Sequence, residues 1–240
     1  MAIVEWEKDE SVAIIRMNSG ENRHNLEFGK AMCAAIDEAL ADAEVKAIVL
    51  TGNDGKNFSQ GVDIEWMFGR QNEQDYQAMK DFMYKMNEVF AKLLTVPVPT
   101  IAAISGHAFG NGAILSCACD FRFMRADRGY FCFPEVDLGI PFLPGMIAFC
   151  KKSVPYYKFN EMKLTGKRAG AAELEADHVI SKACDNLESL MTESVAFAKT
   201  FHKKRGIFGE HKKRLHKEII EIMDVEDKPV IESLALFIAD

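Results

Sequence analysis

Two short segments carry residue types suited to holding an oxygen anion: NFSQGVDIEWM, residues 57–67, and GHAFGNGAILS, residues 106–116. Each sets glycine between a strand-like run (AIVLTG, TIAAIS) and a helical pattern. There the backbone must pass something closely, and the first amides of a helix lack intrahelical acceptors. Two such N–H groups converging on one oxygen make an oxyanion hole, and the amides of Val62 and Asn111 are the candidates. Spacing alone equally admits glycines that merely serve tight strand-to-helix turns. A phosphate loop is a poor match, because GHAFGNG lacks the Lys-Ser/Thr ending and the glycine spacing of a dinucleotide fingerprint. Glu135 lies between the apolar stretches YFCFP and VDLGIPF. Desolvation there disfavours its charged form and makes it a stronger base once ionised. By residue type alone, a Glu that caps a turn or pairs with an Arg is the plainer reading. His107 reads as a satisfied core residue, and His211 with His216 do not share a helix face, so no metal site is expected.

These groups need a frame to position them. AIVEWEK and VAIIRM read as a hairpin across DES. Asn25 caps a helix whose apolar positions are Phe28, Met32, Ile36 and Leu40. AIVLTG is a buried strand, and Met79, Phe82, Met86, Val89 and Leu93 repeat at helical spacing until Pro97 and Pro99 end the run. TIAAISG is a second buried strand, FRFMRA and YFCF are short ones, and Phe208, Leu215, Ile219 and Ile222 line one late helix. Strands alternating with helices predict an α/β core over residues 1–190 and a helical region over 191–240.

The 240 residues are 48% hydrophobic and 27% charged, with net charge −7, which argues against a general nucleic-acid binder. From Lys199 to Lys217 the chain instead carries a local +7, a phosphate-contacting patch or a solvated helical face. Six cysteines without framework spacing read as reduced, mostly buried thiols. With no membrane-length apolar run or secretory order at the N-terminus, a cytoplasmic location is expected.

Four motifs in order, NFSQGVDI, PVPTIAAISGHAFGNGAILSCACDFRF, FPEVDLGIP and LTGKRAGAAEL, resemble the crotonase superfamily of enoyl-CoA hydratases and isomerases. The similarity runs from about residue 3 to 185 and is greatest to the Δ3,Δ2-enoyl-CoA isomerase branch. The resemblance implies a spiral of ββα units with a helical C-terminal trimerisation region, a homotrimer or hexamer, and an acyl-CoA thioester as substrate with no further cofactor. It implies that the amides at Val62 and Asn111 hold the thioester oxygen, although Asn111 departs from the usual Gly. Gly61, Asp63, Phe109, Gly110 and Gly112 in the loops, with Arg23 and Trp66, are the further residues expected at the substrate. Met79, Met83 and Met86 either line an acyl tunnel with Trp66 or form a plain core helix. Lys203, Lys204, Lys212 and Lys213 are candidates for the CoA phosphates.

Hydration in this family commonly uses two carboxylates. Here the first position is Ile114 and the second is Glu135. One carboxylate suffices to move a proton between two carbons of the same substrate, so the expected reaction is conversion of a 3-enoyl-CoA to trans-2-enoyl-CoA. A dienoyl-CoA isomerase would want an acid at Leu143. Asp137, two residues beyond Glu135 in a segment read as extended, is a second candidate carboxylate. The alternatives are a hydratase using Glu135 alone or with Asp137, and a non-catalytic acyl-CoA-binding homologue, encouraged by Ile114 and Asn111.

Overall fold

The computed structural model describes residues 2–234. Val4–Asp9 (β1) and Val12–Met17 (β2) form the antiparallel hairpin. After Arg23–His24 (β3), the Asn25 side chain accepts from the Phe28 amide and caps Leu26–Ala41 (α1). The chain continues through Ala47–Gly52 (β4), Asn57–Ser59 (β5), Gly61–Val62 (β6), Ile64–Asn72 (α2) and Tyr76–Thr95 (α3). The next turn is Thr100–Ile104 (β7), His107–Phe109 (β8) and Asn111–Ala118 (α4). Phe121–Arg125 (β9) and Phe131–Cys132 (β10) lead into Glu135–Leu138 (α5), Pro144–Ser153 (α6), Tyr156–Thr165 (α7) and Ala171–Ala176 (α8). Lys182–Cys184 (β11) and Leu187–Lys199 (α9) follow, then Arg205–Leu215 (α10), Lys217–Val225 (α11) and Asp227–Ser233 (α12).

The main sheet has the order β1-β2-β4-β7-β9-β11 and is parallel except for the hairpin. A second parallel sheet, β5-β8-β10, stands beside it, and β3 pairs with β6. Successive turns thus send one strand to the main sheet and the next to a smaller one before a helix returns the chain. This is the expected spiral of ββα units. Parallel strands covered on both faces read as unbroken apolar runs, and alternate residues divide between two cores. Ile15, Met17, Leu50, Ala102 and Ile104 join the large core with α1 and α3, whereas Ile14, Val49, Ile101 and Phe123 join a smaller one with α9. Burying one such Ile or Leu stabilises by about 1.5–3 kcal/mol.

Two expectations need correction. The residues 205–225 are two helices broken at His216, not one, and Leu215 is 76% exposed instead of lining a buried face. The boundary at 190 falls inside α9, whose Leu190 and Ala198 pack on the second face of the sheet, so the sheet's cover extends to Lys199. Residues 235–240 of the anticipated helical region lie outside the described residues.

The basic run is largely spent on the fold. Lys212 is 4% exposed, with its ammonium 2.7 Å from Asp120 and 2.8 Å from the Leu93 carbonyl, so it is not available to a CoA phosphate. Arg205 donates to the carbonyls of Leu40 and Val45, closing the C-terminal end of α1, and Lys199 pairs with Asp9 and Glu10. Lys203, Lys204 and Lys213 remain on the surface.

Candidate active site

Three turns of the spiral meet at their glycines. Gly61 has φ +83°, and a Cβ there would sit 2.7 Å from the Phe109 carbonyl oxygen and 2.9 Å from the Asn111 amide nitrogen. Only glycine allows this contact, and it sets Val62 beside Asn111. Gly110 has φ +52° and its amide donates to the Cys132 carbonyl, tying β8 to β10. A Cβ on Gly110 would meet Glu135 Oε1 at 3.0 Å. The two glycine loops and the segment bearing Glu135 are therefore in direct contact.

Asn111 opens α4, so its N–H belongs to the helix turn that has no intrahelical acceptor, at the positive end of the helix dipole. On the other loop, Asp63 N–H reaches back to the His24 carbonyl of β3. Amides alternate in direction along a strand, so Val62 N–H points away from β3. Asp63 also caps α2 through the Trp66 amide and accepts from Asn25, and both of its carboxylate oxygens are engaged in the frame.

Glu135 begins α5, a single helical turn after Pro134 that ends at Gly139 in the left-handed region. It is 7% exposed, and its Oε2 is buried with no hydrogen-bond partner among the described residues. Burial pushes its carboxyl up to about 7, opposed first by a hydrogen bond from its own backbone N–H and then by the positive charge of Lys163, whose ammonium lies 4.0 Å from the Phe142 ring centroid. The helical turn also separates Glu135 from Asp137. The segment is not extended, as the sequence suggested, and Asp137 is exposed and packs against Gly166 instead of joining Glu135.

A cavity of about 160 Å³ opens at this junction. Val62, Gly110, Asn111 and Glu135 line it, and its walls are apolar: Ile64, Met67, Phe82, Met83, Met86, Ile114, Phe142, Leu143 and Met146 among them. Glu135 is the one ionisable side chain among the described lining residues. Ile114 and Leu143, the positions where a second carboxylate was sought, both face the cavity.

Of the other anticipated residues, Met83 and Met86 reach it and the rest are not among its lining. Gly61 and Gly112 serve backbone contacts, the latter against Ser59. Phe109 lies under the guanidinium of Arg168 at 5.3 Å, Trp66 packs edge-on to Phe82, and Arg23 pairs with Glu21 at the surface. Met79 is core, whereas Met83 and Met86 line the cavity. Gln60, Phe142, Met146 and Val230 also line it and went unnoticed in the sequence. Gln60 adjoins the first glycine loop, but nothing in the pattern near Val230 signals a cavity. His24, fully buried behind Asn111, was likewise missed.

The enoyl-CoA hydratase/isomerase family model matches residues 7–225, and the chain belongs to that family. Among individual relatives, the chain is 27% identical over 217 residues to enoyl-CoA delta isomerase 3 of Arabidopsis thaliana, covering 86% of this chain and 90% of that one. It is 32% identical over 198 residues to a probable enoyl-CoA hydratase of Mycobacterium bovis, covering 81% and 73%. A crystal structure of a probable enoyl-CoA hydratase from Mycobacterium tuberculosis superposes with a TM-score of 0.87 at 22% identity, covering 97% of this chain and 96% of that one. That likeness is one of fold. Among the described residues, no helix is long and apolar enough to cross a membrane.

Proposed function

We propose that this chain is an enoyl-CoA delta isomerase, moving the double bond of a 3-enoyl-CoA thioester to the conjugated trans-2 position. Glu135 takes a proton from C2, and the electron pair of that C–H bond passes into the thioester carbonyl. The resulting enolate oxygen is held by the amides of Val62 and Asn111. Glu135 then returns the same proton to C4, where the C3–C4 π pair forms the new C–H bond; the enolate oxygen restores the carbonyl, and the C1–C2 π pair becomes the C2–C3 double bond. Reactant and product have the same atoms and oxidation level, so the step calls for no redox cofactor.

The observation that carries this reading is the solitary, desolvated carboxylate. Among the described residues, Glu135 Oε2 has no hydrogen-bond partner, and no second ionisable side chain lines the cavity to hold and split a water. A desolvated base near pH 7 suits proton transfer in both directions. At about 160 Å³ the cavity slightly exceeds the roughly 150 Å³ that takes a benzene-sized guest, which favours acyl groups of about six carbons.

Incubation with trans-3-hexenoyl-CoA tests the reading. An isomerase yields the trans-2 isomer at unchanged mass, whereas accumulation of a product heavier by one water from trans-2-hexenoyl-CoA supports the hydratase reading that the 32% identical relative favours. We further propose a homotrimer or hexamer in the cytoplasm, the assembly being readable by light scattering on the purified chain.

A further inference from the structure

Behind the second loop, the His24 ring is fully buried and stacks on Phe28, with centroids 4.1 Å apart. Asn111 Nδ2 lies 2.9 Å from its Nδ1, and Ser59 Oγ lies 2.9 Å from its Nε2. The proton positions follow from the partners. An amide nitrogen only donates, so His24 Nδ1 accepts and carries no hydrogen. Ser59 donates its own hydroxyl hydrogen to the Asn22 carbonyl at 2.7 Å, so its oxygen accepts from His24 Nε2–H. The same oxygen accepts from the Gly61 amide at 3.0 Å. The donors thus run one way, from Asn111 through His24 and Ser59 to the backbone at Asn22. That backbone is itself pinned, since Asn22 sits at φ +52° with its side chain bonded to Phe58 O and Ser19 N.

The chain of bonds joins the two loops. At one end is the side chain of Asn111, whose own amide is one oxyanion donor. At the other is Gly61, the residue directly before Val62, whose amide is the second. We infer that His24 is a positioning residue: a neutral imidazole that, through Asn111 and Ser59, holds the Val62 and Asn111 amides in register for the thioester oxygen. It rests on the oxyanion role given to those amides above. It also supplies a physical reason for Asn at position 111, because glycine there has no side chain to reach His24. A proton on Nδ1 would face the Asn111 amide hydrogens at a fully buried position, and burial lowers the imidazole to about 3, so the relay stays intact around neutrality.

A conjugated arylacryloyl-CoA thioester absorbs at longer wavelength when its carbonyl is polarised, which reads the oxyanion hole without catalysis. Bound to the wild type it should shift to the red. His24→Phe keeps the stack on Phe28 and removes both ring nitrogens. It should lose much of the red shift and lower kcat for trans-3-hexenoyl-CoA on the order of tenfold, with KM nearly unchanged, because the donors matter more to the enolate than to the ground state. His24→Asn places an amide oxygen near the Nδ1 position and should restore most of both. Asn111→Ala keeps the backbone donor and removes only the link, so it should match His24→Phe, and the double variant should be little worse than either. If His24→Phe does not fold, Asn111→Ala and Ser59→Ala carry the test. Any folded variant among these three keeping the full red shift and kcat overturns the inference. A wild type that polarises the probe in a His24-dependent way yet isomerises nothing leaves the positioning role standing and removes the isomerase reading.

Discussion

At Glu135 burial holds the carboxyl near 7, so the ionised base becomes the majority form only above neutrality. A plot of log kcat/KM against pH should rise with a slope of one below about 7 and level off above it. A flat profile between pH 5.5 and 8 would contradict this. Stability runs the other way. The folded pKa is raised, so this group's contribution is fully present below the unfolded value and is lost as pH climbs through about 7. Glu135→Gln should therefore be more stable than the wild type at pH 8, by up to roughly 3 kcal/mol, and little different at pH 4, measured by denaturant unfolding. Glu135's burial was legible in its apolar flanks. The divergence of Asp137 was not, because α5 is one turn long and its helical form depends on Pro134 and Gly139, which no periodicity reveals.

The element that brings the site together is the contact between β6 and the start of α4, where Gly61 lies against Phe109 O and Asn111 N. Gly61→Ala adds a Cβ into that backbone and strains a residue at φ +83°. It should cost on the order of 2 kcal/mol of stability and reduce kcat by a larger factor than the unfolding loss explains, as seen by comparing activity well below Tm. On α3, Met83 faces the cavity. Met83→Ala should raise kcat/KM for trans-3-decenoyl-CoA relative to trans-3-hexenoyl-CoA by about tenfold, the scale of small changes in an apolar pocket. An unchanged ratio would place the acyl chain elsewhere. Helices α1 and α3 were readable from their apolar repeats, with the Asn25 cap of α1 and the prolines that end α3, because those signals are local. The meeting of the loops was only suggested by the glycines, since the contacts join residues some fifty apart in sequence. His24 sent no signal, because its partners Ser59 and Asn111 lie on two other turns of the spiral.

Across the whole molecule, the C-terminal helices are fastened to the spiral by charge as well as by apolar packing. Lys212 of α10 meets Asp120 in the interior, and Asp120 also accepts from the Thr100 amide. Lys212→Met leaves a carboxylate without its cation and should destabilise the chain by about 3–5 kcal/mol, whereas Lys213→Met at the surface should change stability by less than about 0.5 kcal/mol. Equal unfolding midpoints for the two would show that the buried pair contributes nothing. The charge of this run could be counted in the sequence, but its partners lie near residues 40, 93 and 120, so its structural use could not be read there. The alternation of strands and helices was legible in the apolar pattern, whereas the spiral followed only from the resemblance that the four ordered motifs carry. All of this frame converges on one carboxylate. The most direct test is turnover of trans-3-hexenoyl-CoA by the wild type and by Glu135→Gln, with thioester binding measured alongside. A one-carboxylate isomerase predicts steady conversion to the trans-2 isomer by the wild type and loss of at least about a thousandfold in the variant, with binding preserved. A wild type that binds the thioester but never moves its double bond, or a variant that retains full activity, would contradict it.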